Sequence, residues 1–522
     1  MSQGHKIQLY PHQKKALSRV LKEPYFALFM EQGTGKTAVA IKAIEKGYKA
    51  GRIHRVLIFV PNTIVMNWEI ELQQFLDLPD NSYVIETLSP KKREKRVQAL
   101  NNFLSQDLEF LSLKKLKALG YTGKKKEILK KHKPKLMILL TNYEKSWAME
   151  KEIKRFNPHM LILDESQWVK ERTTQTAKSI YRMTRKCDYR LLLTGTPIVN
   201  GYEDLFMQYQ IMDQNIFGSR YADFEDQYIV KGGYMGYDIV GYQNEDELKE
   251  IIKDTSFRVR LRDCVDLPPI SYRYITCELN KKAQKAYSEL DKEMLTQLEQ
   301  TSSEISRKEL KRICRERGIE YGPRESYSLL LMKASPYISN ITSCELAITK
   351  IMRLQQISGG FITLDSGEVV CISKDKLQLA IDEVSKASRP VVIFCQYIPE
   401  IEMLHKELSK LKRDGKKLRV ESFRDTRKRT KIYKEFQSGK IDVLVLQIQS
   451  GSVGLNLQRS NKLIFYSWSF SSEKYVQAIS RIERAGQKNP MEVVHLIAEG
   501  TKDMEILEAI RVKRKIAKRA LD

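Results

Sequence analysis

The sequence predicts an α/β protein with two doubly wound parallel sheets, a mostly helical insertion between them and a basic C-terminal helix. Short runs of consecutive apolar residues, separated by helical stretches, recur through about residue 215 and again from about 346 to 500. Such uninterrupted runs are typical of parallel strands that are buried on both faces. Between the two regions, tyrosine, charge and helical spacing dominate instead. We therefore expect lobes at 1–215 and 346–500, an insertion at 216–345 and a basic helix at 501–522.

Composition restricts the class of protein. The 522 residues include 90 Lys and Arg against 65 Asp and Glu, a net charge of +25, which suits a polyanionic partner but also fits a merely lysine-rich surface. The seven cysteines form no C-x-x-C pair, which argues against a zinc ribbon or a disulfide framework. The N-terminus is polar and no apolar run reaches about 18 residues, so we expect no secretion signal and no membrane partner. Compact size and a Lys-, Ile- and Tyr-rich composition favour a cytoplasmic protein of a bacterium or a phage-infected host cell.

The first apolar run, 25–30, leads into the loop Glu31-Gln32-Gly33-Thr34-Gly35-Lys36-Thr37 and then into a helical pattern. Glycines let backbone N–H groups turn toward phosphate oxygens, and the following helix N-terminus adds a favourable dipole. In this pattern Lys36 reaches the terminal phosphates of a nucleoside triphosphate and Thr37 binds Mg²⁺. The strict motif has a further glycine where this chain has Met30. The loop by itself is therefore also compatible with an idle glycine-rich turn.

Further strands of the first lobe are expected at 55–60, 136–140, 160–163 and 190–194. Asp164 and Glu165 follow the third of these, at the strand end where ligands bind in open α/β sheets. Phosphoryl transfer to water needs a metal carrier and a group that orients and deprotonates the nucleophile. We assign Asp164 to the Mg²⁺ shell and Glu165 to the attacking water.

The second lobe repeats the pattern, with strands expected at 390–394, 443–446, 463–466 and 493–497. Arg481 and Arg484 lie three residues apart, a spacing that predicts one shared helix face. A planar guanidinium is well suited to the charge that builds on a transferred phosphoryl group. Such a pair is also common as a salt-bridged surface feature.

Two lysine-dense segments, 91–96 and 114–135, lie within the first lobe. Each is compatible with a solvated helix face or with a surface that faces nucleic acid. The sequence leaves both interpretations open.

Taken together, the motifs resemble the Snf2 branch of the superfamily 2 helicase-type ATPases over nearly the whole chain. In that branch the early glycine of the loop is typically absent, which accounts for Met30. The most specific part is Gly454-Leu455-Asn456-Leu457 together with 477–487. The matching segments are Leu9–Gln13, Met30–Thr37, Val60-Pro61 with Asn67, Trp68 and Glu71, Thr141–Glu144, Asp164–Gln167, Leu193–Pro197 with Asn200, Ile393–Tyr397, Gly451–Leu457 and Gln477–Gln487.

The resemblance implies two RecA-like lobes that clamp one Mg·ATP. It gives Gln13 the adenine contact and Glu165 the hydrolytic water, and it makes Arg481 and Arg484 the donors that stabilise the transferred phosphoryl group. The residues expected to bind ATP and Mg²⁺ are Gly33, Thr34, Gly35, Lys36, Thr37 and Asp164, with Thr37 and Asp164 holding the metal.

The resemblance also implies a monomer that tracks along double-stranded DNA without reading its sequence and without full separation of its strands. Protein partners are not specified. Two positions depart from the branch, because Gln167 and Glu483 each replace a histidine. Neither departure touches the residues that handle phosphate, so both bear on how ATP hydrolysis is coupled to the rest of the protein. A strand-separating or branch-migrating helicase on DNA or RNA, and a DNA-binding clamp with weak ATPase activity, remain alternatives.

Overall fold

A computed structural model describes residues 8–88, 93–131, 134–144, 146–232, 238–301, 307–316, 330, 352–364, 367–425, 428–451 and 455–521. The chain divides into two compact units. The first comprises Met1–Ile198, Tyr202–Ile229 and Tyr242–Cys264, and the second comprises Val199–Gly201, Val230–Gly241 and Val265–Asp522.

The first unit contains a seven-stranded sheet in which every neighbouring pair of strands is parallel. Its strands are β1 (Tyr25–Met30), β2 (Arg55–Val60), β3 (Tyr83–Leu88), β4 (Leu136–Asn142), β5 (Met160–Asp164), β6 (Tyr189–Leu193) and β9 (Ser256–Val259). A separate ribbon pairs β7 (Ile229–Gly232) with β8 (Asp238–Tyr242), and most of its residues belong to the second unit. The order in the sheet is β3-β4-β2-β5-β6-β1-β9. Every residue of β2 and β4 is buried, as expected when both faces of a sheet are covered.

Helices connect these strands. Their bounds are Pro11–Lys22, Lys36–Lys49, Val65–Phe75, Arg93–Leu104, Leu113–Ala118, Lys125–Lys131, Glu150–Phe156, Gln175–Thr184, Glu203–Met212, Gln214–Phe217, Tyr221–Tyr228, Glu245–Thr255 and Leu261–Cys264. The helix Lys36–Lys49 packs Val39, Ala40 and Ile44 into the core beside Leu28 of β1 and Ile58 of β2. Burial of these side chains fixes the helix that follows the glycine loop against the sheet.

The second unit contains a six-stranded, entirely parallel sheet in the order β10-β19-β18-β13-β17-β16. These strands are β10 (Ile270–Cys277), β13 (Val391–Cys395), β16 (Val420–Ser422), β17 (Val443–Gln447), β18 (Lys462–Phe465) and β19 (Met491–Ala498), and two ribbons pair β11 (Phe361–Thr363) with β12 (Val369–Cys371) and β14 (Lys412–Arg413) with β15 (Lys416–Lys417). The helices of the second unit include Lys281–Thr301, Arg307–Glu316, Asp375–Ser385, Ile398–Leu408, Arg429–Gln437, Ile448–Gly451, Ser472–Ile479 and Lys502–Leu521.

The predicted fold class is confirmed, since each unit holds a parallel sheet surrounded by helices. The sequence did not predict β9 or β10, although β9 belongs to the first sheet and β10 to the second. Both strands come from the range 216–345, which the sequence assigned to a mostly helical insertion. The domain boundaries themselves stay a prediction.

Some predicted features lie outside the described residues. These are parts of the insertion at 302–306, 317–329 and 331–351 and the turn around Tyr234. Ser452, Val453 and Gly454, from the segment Gly451–Leu457 that resembles the Snf2 branch, also lie outside. Within the described residues, no helix is both long and apolar enough to cross a membrane.

Candidate nucleotide-binding site

The glycine loop joins β1 to the helix Lys36–Lys49. Gly33 and Gly35 have φ values of +84° and +86°, in the left-handed region that other residues rarely adopt. A Cβ atom on Gly35 would also lie 2.1 Å from Nε2 of Gln13. The backbone conformation therefore favours glycine at position 35, and a side chain there would displace the Gln13 amide from its contact with Thr34.

Lys36, the first residue of the helix, turns its side chain back over the loop. Its Nζ donates hydrogen bonds to the carbonyl oxygens of Met30 (2.7 Å) and Glu31 (3.3 Å). The hydroxyl of Thr34 donates to the same Glu31 oxygen at 2.6 Å. These contacts hold the ammonium group close to the loop, where a phosphate chain would be bound.

Gln13 supports the loop from the helix Pro11–Lys22. Its Nε2 donates to the carbonyl oxygen of Thr34 and its Oε1 accepts from the backbone N–H of Tyr10, each at 3.0 Å. The ring Nε2 of His12 lies 3.0 Å from the same Thr34 oxygen. The side-chain amide thus positions the phosphate loop, while its predicted adenine contact stays a prediction.

Asp164 ends β5 and is only 6% exposed. Its Oδ2 accepts a hydrogen bond from Nε1 of Trp68 at 2.7 Å, and its Oδ1 accepts from the backbone N–H of Glu165 at 3.0 Å. Burial, and then the neighbouring charge of Glu165, raise the pKa of Asp164 to about 7, although Trp68 and the Lys36 ammonium oppose the shift. A nearby cation stabilises the ionised form of a buried carboxylate whose pKa is raised in this way.

Glu165 has φ +53°, an unusual conformation for a residue with a side chain. Its Oε2 accepts a hydrogen bond from Nε2 of Gln167 at 2.9 Å. The Oε1 of Gln167 in turn accepts from the hydroxyl of Thr194, which follows β6, at 2.6 Å. A continuous chain of hydrogen bonds therefore joins the candidate general base to the segment after β6.

The segment after β6 also approaches the glycine loop. A Cβ atom on Gly195 would lie 3.3 Å from the Met30 carbonyl oxygen and 3.4 Å from the Gln32 nitrogen. The hydroxyl of Thr194 additionally accepts from the backbone N–H of Thr196 at 2.9 Å. The loop, the two carboxylates and the residues after β6 thus form one site at the carboxyl ends of the strands.

Three supporting residues were not given these roles from the sequence. Trp68 and Tyr143 are buried, and the Tyr143 hydroxyl donates to the Asp164 carbonyl oxygen at 2.7 Å. Gln208 accepts from the Ser166 hydroxyl at 2.7 Å and donates to the Pro197 carbonyl oxygen at 2.8 Å. Trp68 stands in a quoted motif and could have been found there, whereas Gln208 has no local sequence signal.

Arg481 and Arg484 belong to the second unit, and one part of their prediction is wrong. The helix that begins at Ser472 ends at Ile479, so both arginines lie in the turns that follow rather than on one helix face. They still converge, since each Nη1 donates to the carbonyl oxygen of Leu455, at 3.4 and 3.2 Å.

The side chain of Gln487 joins these turns to the segment at 458–460, and its Nε2 also lies 3.3 Å from the carbonyl oxygen of Ile482 within the turns. Nε2 of Gln487 donates to the carbonyl oxygens of Gln458 and Ser460, at 2.9 and 3.0 Å. Gly486 has φ +96°, which reverses the chain direction without strain.

Thr37 and Asp164 are the residues of this site that are expected to hold Mg²⁺. Within the described residues, no group of three or more His, Cys, Asp or Glu side chains could hold a metal ion. Mg²⁺ seldom needs such a cage, because it usually keeps several waters and binds one or two carboxylates plus substrate phosphates. The buried Asp164 and the hydroxyl-bearing Thr37 fit that kind of site.

A glycine loop after one parallel strand, with two carboxylates at the end of another, defines the class of P-loop nucleoside triphosphatases. A model of the SNF2-related domain matches residues 22–324, and a model of the helicase conserved C-terminal domain matches residues 375–486. The chain belongs to the SNF2-related family. This family consists of ATP-dependent helicases whose ATP hydrolysis depends on nucleic acid.

The chain is similar to several curated proteins at low identity. An uncharacterized ATP-dependent helicase of Mycoplasma genitalium is 24% identical over 98% of this chain and 42% of that protein. The CHD3-type chromatin-remodeling factor PICKLE of Arabidopsis thaliana is 23% identical over 97% of this chain and 34% of that protein. The DNA repair and recombination protein RAD54B of Gallus gallus is 23% identical over 92% of this chain and 50% of that protein. The chain thus spans half or less of the length of these relatives.

Among solved structures, the chain is similar to the Sulfolobus solfataricus SWI2/SNF2 ATPase core in complex with dsDNA. The identity is 20%, the TM-score is 0.41, and the match covers 99% of this chain and 93% of that one.

Proposed function

We propose that the chain is an ATP-driven translocase that moves along duplex DNA without reading its sequence and displaces bound protein or DNA structures. The observation that carries this proposal is the hydrogen-bond chain from Glu165 through Gln167 to Thr194. In a motor, the state of the bound nucleotide must alter another segment of the protein. These hydrogen bonds are a direct physical route for that coupling.

In the proposed reaction, the backbone of the glycine loop and Lys36 bind the phosphates of ATP. Thr37 and Asp164 would hold Mg²⁺, which neutralises phosphate charge when bound. Glu165 orients a water molecule and accepts its proton as the water oxygen bonds to the γ-phosphorus and the bond to ADP breaks. Arg481 and Arg484 supply positive charge to the same phosphoryl group.

Gln167 couples this reaction to the segment after β6. An amide donates and accepts at once, so it senses the Glu165 carboxylate through Nε2 and Thr194 through Oε1. The link that the sequence placed in doubt, because Gln167 replaces a histidine, is therefore present in another chemical form. This supports a motor over a clamp with weak ATPase activity.

Charge and family support nucleic acid as the partner. A net charge of +25 suits phosphate-dominated, sequence-independent and salt-sensitive binding. Relatives named as a helicase, a chromatin-remodeling factor and a DNA repair and recombination protein support DNA in particular.

The test is the rate of ATP hydrolysis in the presence of duplex DNA, single-stranded DNA, branched DNA, RNA or no nucleic acid. We expect the strongest stimulation with duplex DNA. Preference for a single strand or for RNA would support the strand-separating alternative, and preference for branched DNA would support branch migration. Undetectable hydrolysis with saturating duplex DNA would favour the clamp.

A further inference from the structure

Residues 108–131 form a small lysine-rich module between the helix Arg93–Leu104 and β4. The module contains the helices Leu113–Ala118 and Lys125–Lys131. Eight lysines and two glutamates give it a net charge of +6. It has its own apolar cluster, made by Leu108, Leu111, Leu116, Tyr121 and Ile128. The cluster holds the two helices together, so the lysines are displayed on a folded element.

Five of these lysines are exposed and carry uncompensated charge. Within the part of the chain that the structure describes, none of their ammonium groups pairs with a carboxylate; they are Lys114, Lys115, Lys117, Lys124 and Lys126. Unpaired like charges on a 24-residue module repel one another, and a bound polyanion would relieve that repulsion.

The module is fixed to the sheet at a defined place. Arg55, the first residue of β2, is buried, and its Nη1 donates to the carboxylate of Glu109. The same guanidinium group lies 5.8 Å from the centre of the Phe110 ring, and its Nε donates to the carbonyl oxygen of Asn157 at 2.8 Å. Nζ of Lys125 completes the attachment by donating to the Glu109 carbonyl oxygen at 2.7 Å.

This attachment places the module opposite the nucleotide site. The glycine loop follows the carboxyl end of β1, whereas Arg55 begins β2 in the same parallel sheet. The amino ends of parallel strands lie at the edge of the sheet away from the ligand edge. Phosphates bound to the module would therefore lie away from the residues proposed for hydrolysis.

We propose that the lysine-rich module is a second nucleic-acid-binding surface, which contacts phosphates without reading bases and does not take part in ATP hydrolysis. The proposal rests on nucleic acid being the partner in the proposed function. Lysine is a hydrated point charge on a flexible stem and suits diffuse phosphate contact, whereas base recognition usually employs arginine, asparagine or glutamine. The module would hold the chain on DNA while the nucleotide site turns over.

The test compares two triple variants in the full chain. Lys114→Gln/Lys115→Gln/Lys117→Gln removes three charges from the module, and Lys151→Gln/Lys178→Gln/Lys186→Gln removes three exposed charges from elsewhere in the first unit. Glutamine and lysine have similar helix propensities, so both variants should fold. The measurements are the Kd for a 30-bp duplex without nucleotide over a series of salt concentrations, and kcat with saturating duplex.

For the module variant we expect Kd to rise at least about fivefold at about 0.1 M salt and the slope of log Kd against log salt to fall by about 2. The value of kcat should stay within about twofold of the wild type, and the control variant should change Kd less than about twofold.

Equal effects of the two variants would overturn the proposal, because they would show only a dependence on net charge. A fall in kcat confined to the module variant would show that the module takes part in ATP hydrolysis, which contradicts the proposal. Binding to anionic phospholipid vesicles that is lost in the module variant, with unchanged DNA binding, would assign the surface to membranes instead. Because DNA affinity is measured without nucleotide, these outcomes are distinct from a wild-type protein that lacks DNA-stimulated hydrolysis.

Discussion

The hydrogen-bonded connection between Glu165 and Thr194 depends on both the nitrogen and the oxygen of the Gln167 side-chain amide. Gln167 is 2% exposed, and it replaces a histidine of the family pattern. A neutral imidazole can also donate and accept, but its protonation near neutral pH would remove the acceptor. The amide keeps both hydrogen bonds at any pH at which the protein is folded.

We expect Gln167→Ala to lower kcat about tenfold, since one hydrogen bond is worth about 1.4 kcal/mol. Movement along DNA per ATP hydrolysed should fall further, because the route to Thr194 is interrupted. Gln167→Glu keeps the acceptor for Thr194 but places a second carboxylate against Glu165, so it interrupts the route at the Glu165 end alone. Parallel measurements of ATP hydrolysis and displacement test this, and proportional losses in both would contradict a coupling role.

Lys36 and Glu165 are expected to act at different stages. Lys36→Ala should abolish turnover because the phosphate chain loses its main cation. Glu165→Gln should abolish turnover but retain ATP binding, since only the group that accepts the proton from water is lost. Hydrolysis assays and a fluorescent-nucleotide titration separate the two. A Glu165→Gln protein that hydrolyses ATP at the wild-type rate would refute the assignment.

Asp164 makes the stability of the metal-free protein depend on pH. Burial and the Glu165 charge raise its pKa from 3.8 to about 7, so the folded state binds more protons than the unfolded state between these values. The contribution of this group to stability is present at low pH and is lost as pH rises through about 7.

The asparagine in Asp164→Asn does not titrate, so this variant should not lose stability in that pH range as the wild type does. We expect the Tm of the variant minus the Tm of the wild type to be roughly 2 °C or more higher at pH 8 than at pH 5, both in EDTA. The measurement is thermal unfolding of both proteins at each pH. A difference in Tm that is the same at both pH values would show that Asp164 is ionised throughout.

At the scale of elements, the turns after the helix Ser472–Ile479 determine where the two arginines lie. Both guanidinium groups reach the Leu455 carbonyl oxygen although they do not share a helix face. The residue types were sufficient to suggest a role, but the end of the helix at Ile479 has no signal in the periodic pattern.

We expect Arg484→Ala to lower kcat about 10³-fold if its guanidinium stabilises the transferred phosphoryl group. Arg484→Lys should recover little, because an ammonium group lacks the planar pair of donors. Single-turnover hydrolysis measures the effect on chemistry. A loss of only a few-fold would assign Arg484 to support of the 455–460 segment.

The strands that could be predicted from the sequence are those with continuous apolar runs. The run 55–60 coincides with β2, and the predicted strand 136–140 lies within β4. In contrast, β10 is mostly exposed along its length and contains Tyr272, Arg273 and Tyr274, so it has no apolar run to detect. It is specified by its pairing with β19, a contact between residues more than 200 positions apart.

The same limit applies to the candidate site. The loop and the two carboxylates could be predicted because each follows a strand directly in sequence. The contribution of Gln208, and the attachment of Gln13 to Thr34, depend on side chains brought together only by folding. Local patterns therefore locate the loop and the carboxylates in the chain but not their supporting contacts, and the chemical roles of these residues stay a prediction.

At the scale of the whole molecule, each unit holds one parallel sheet, and the candidate residues are divided between the two units. The first unit contains the loop, both carboxylates and Gln167, and the second contains Arg481 and Arg484. This division is consistent with a family in which ATP hydrolysis depends on nucleic acid. We propose movement along DNA, rather than hydrolysis alone, as the output of this site.

The most direct test of that claim is displacement of a third strand from a duplex by the wild-type protein, with Glu165→Gln as the inactive control. We predict ATP-dependent release of the third strand while the two strands of the duplex stay paired. Strong duplex-stimulated hydrolysis without release of the third strand would contradict the account, as would release that is equally fast with Glu165→Gln.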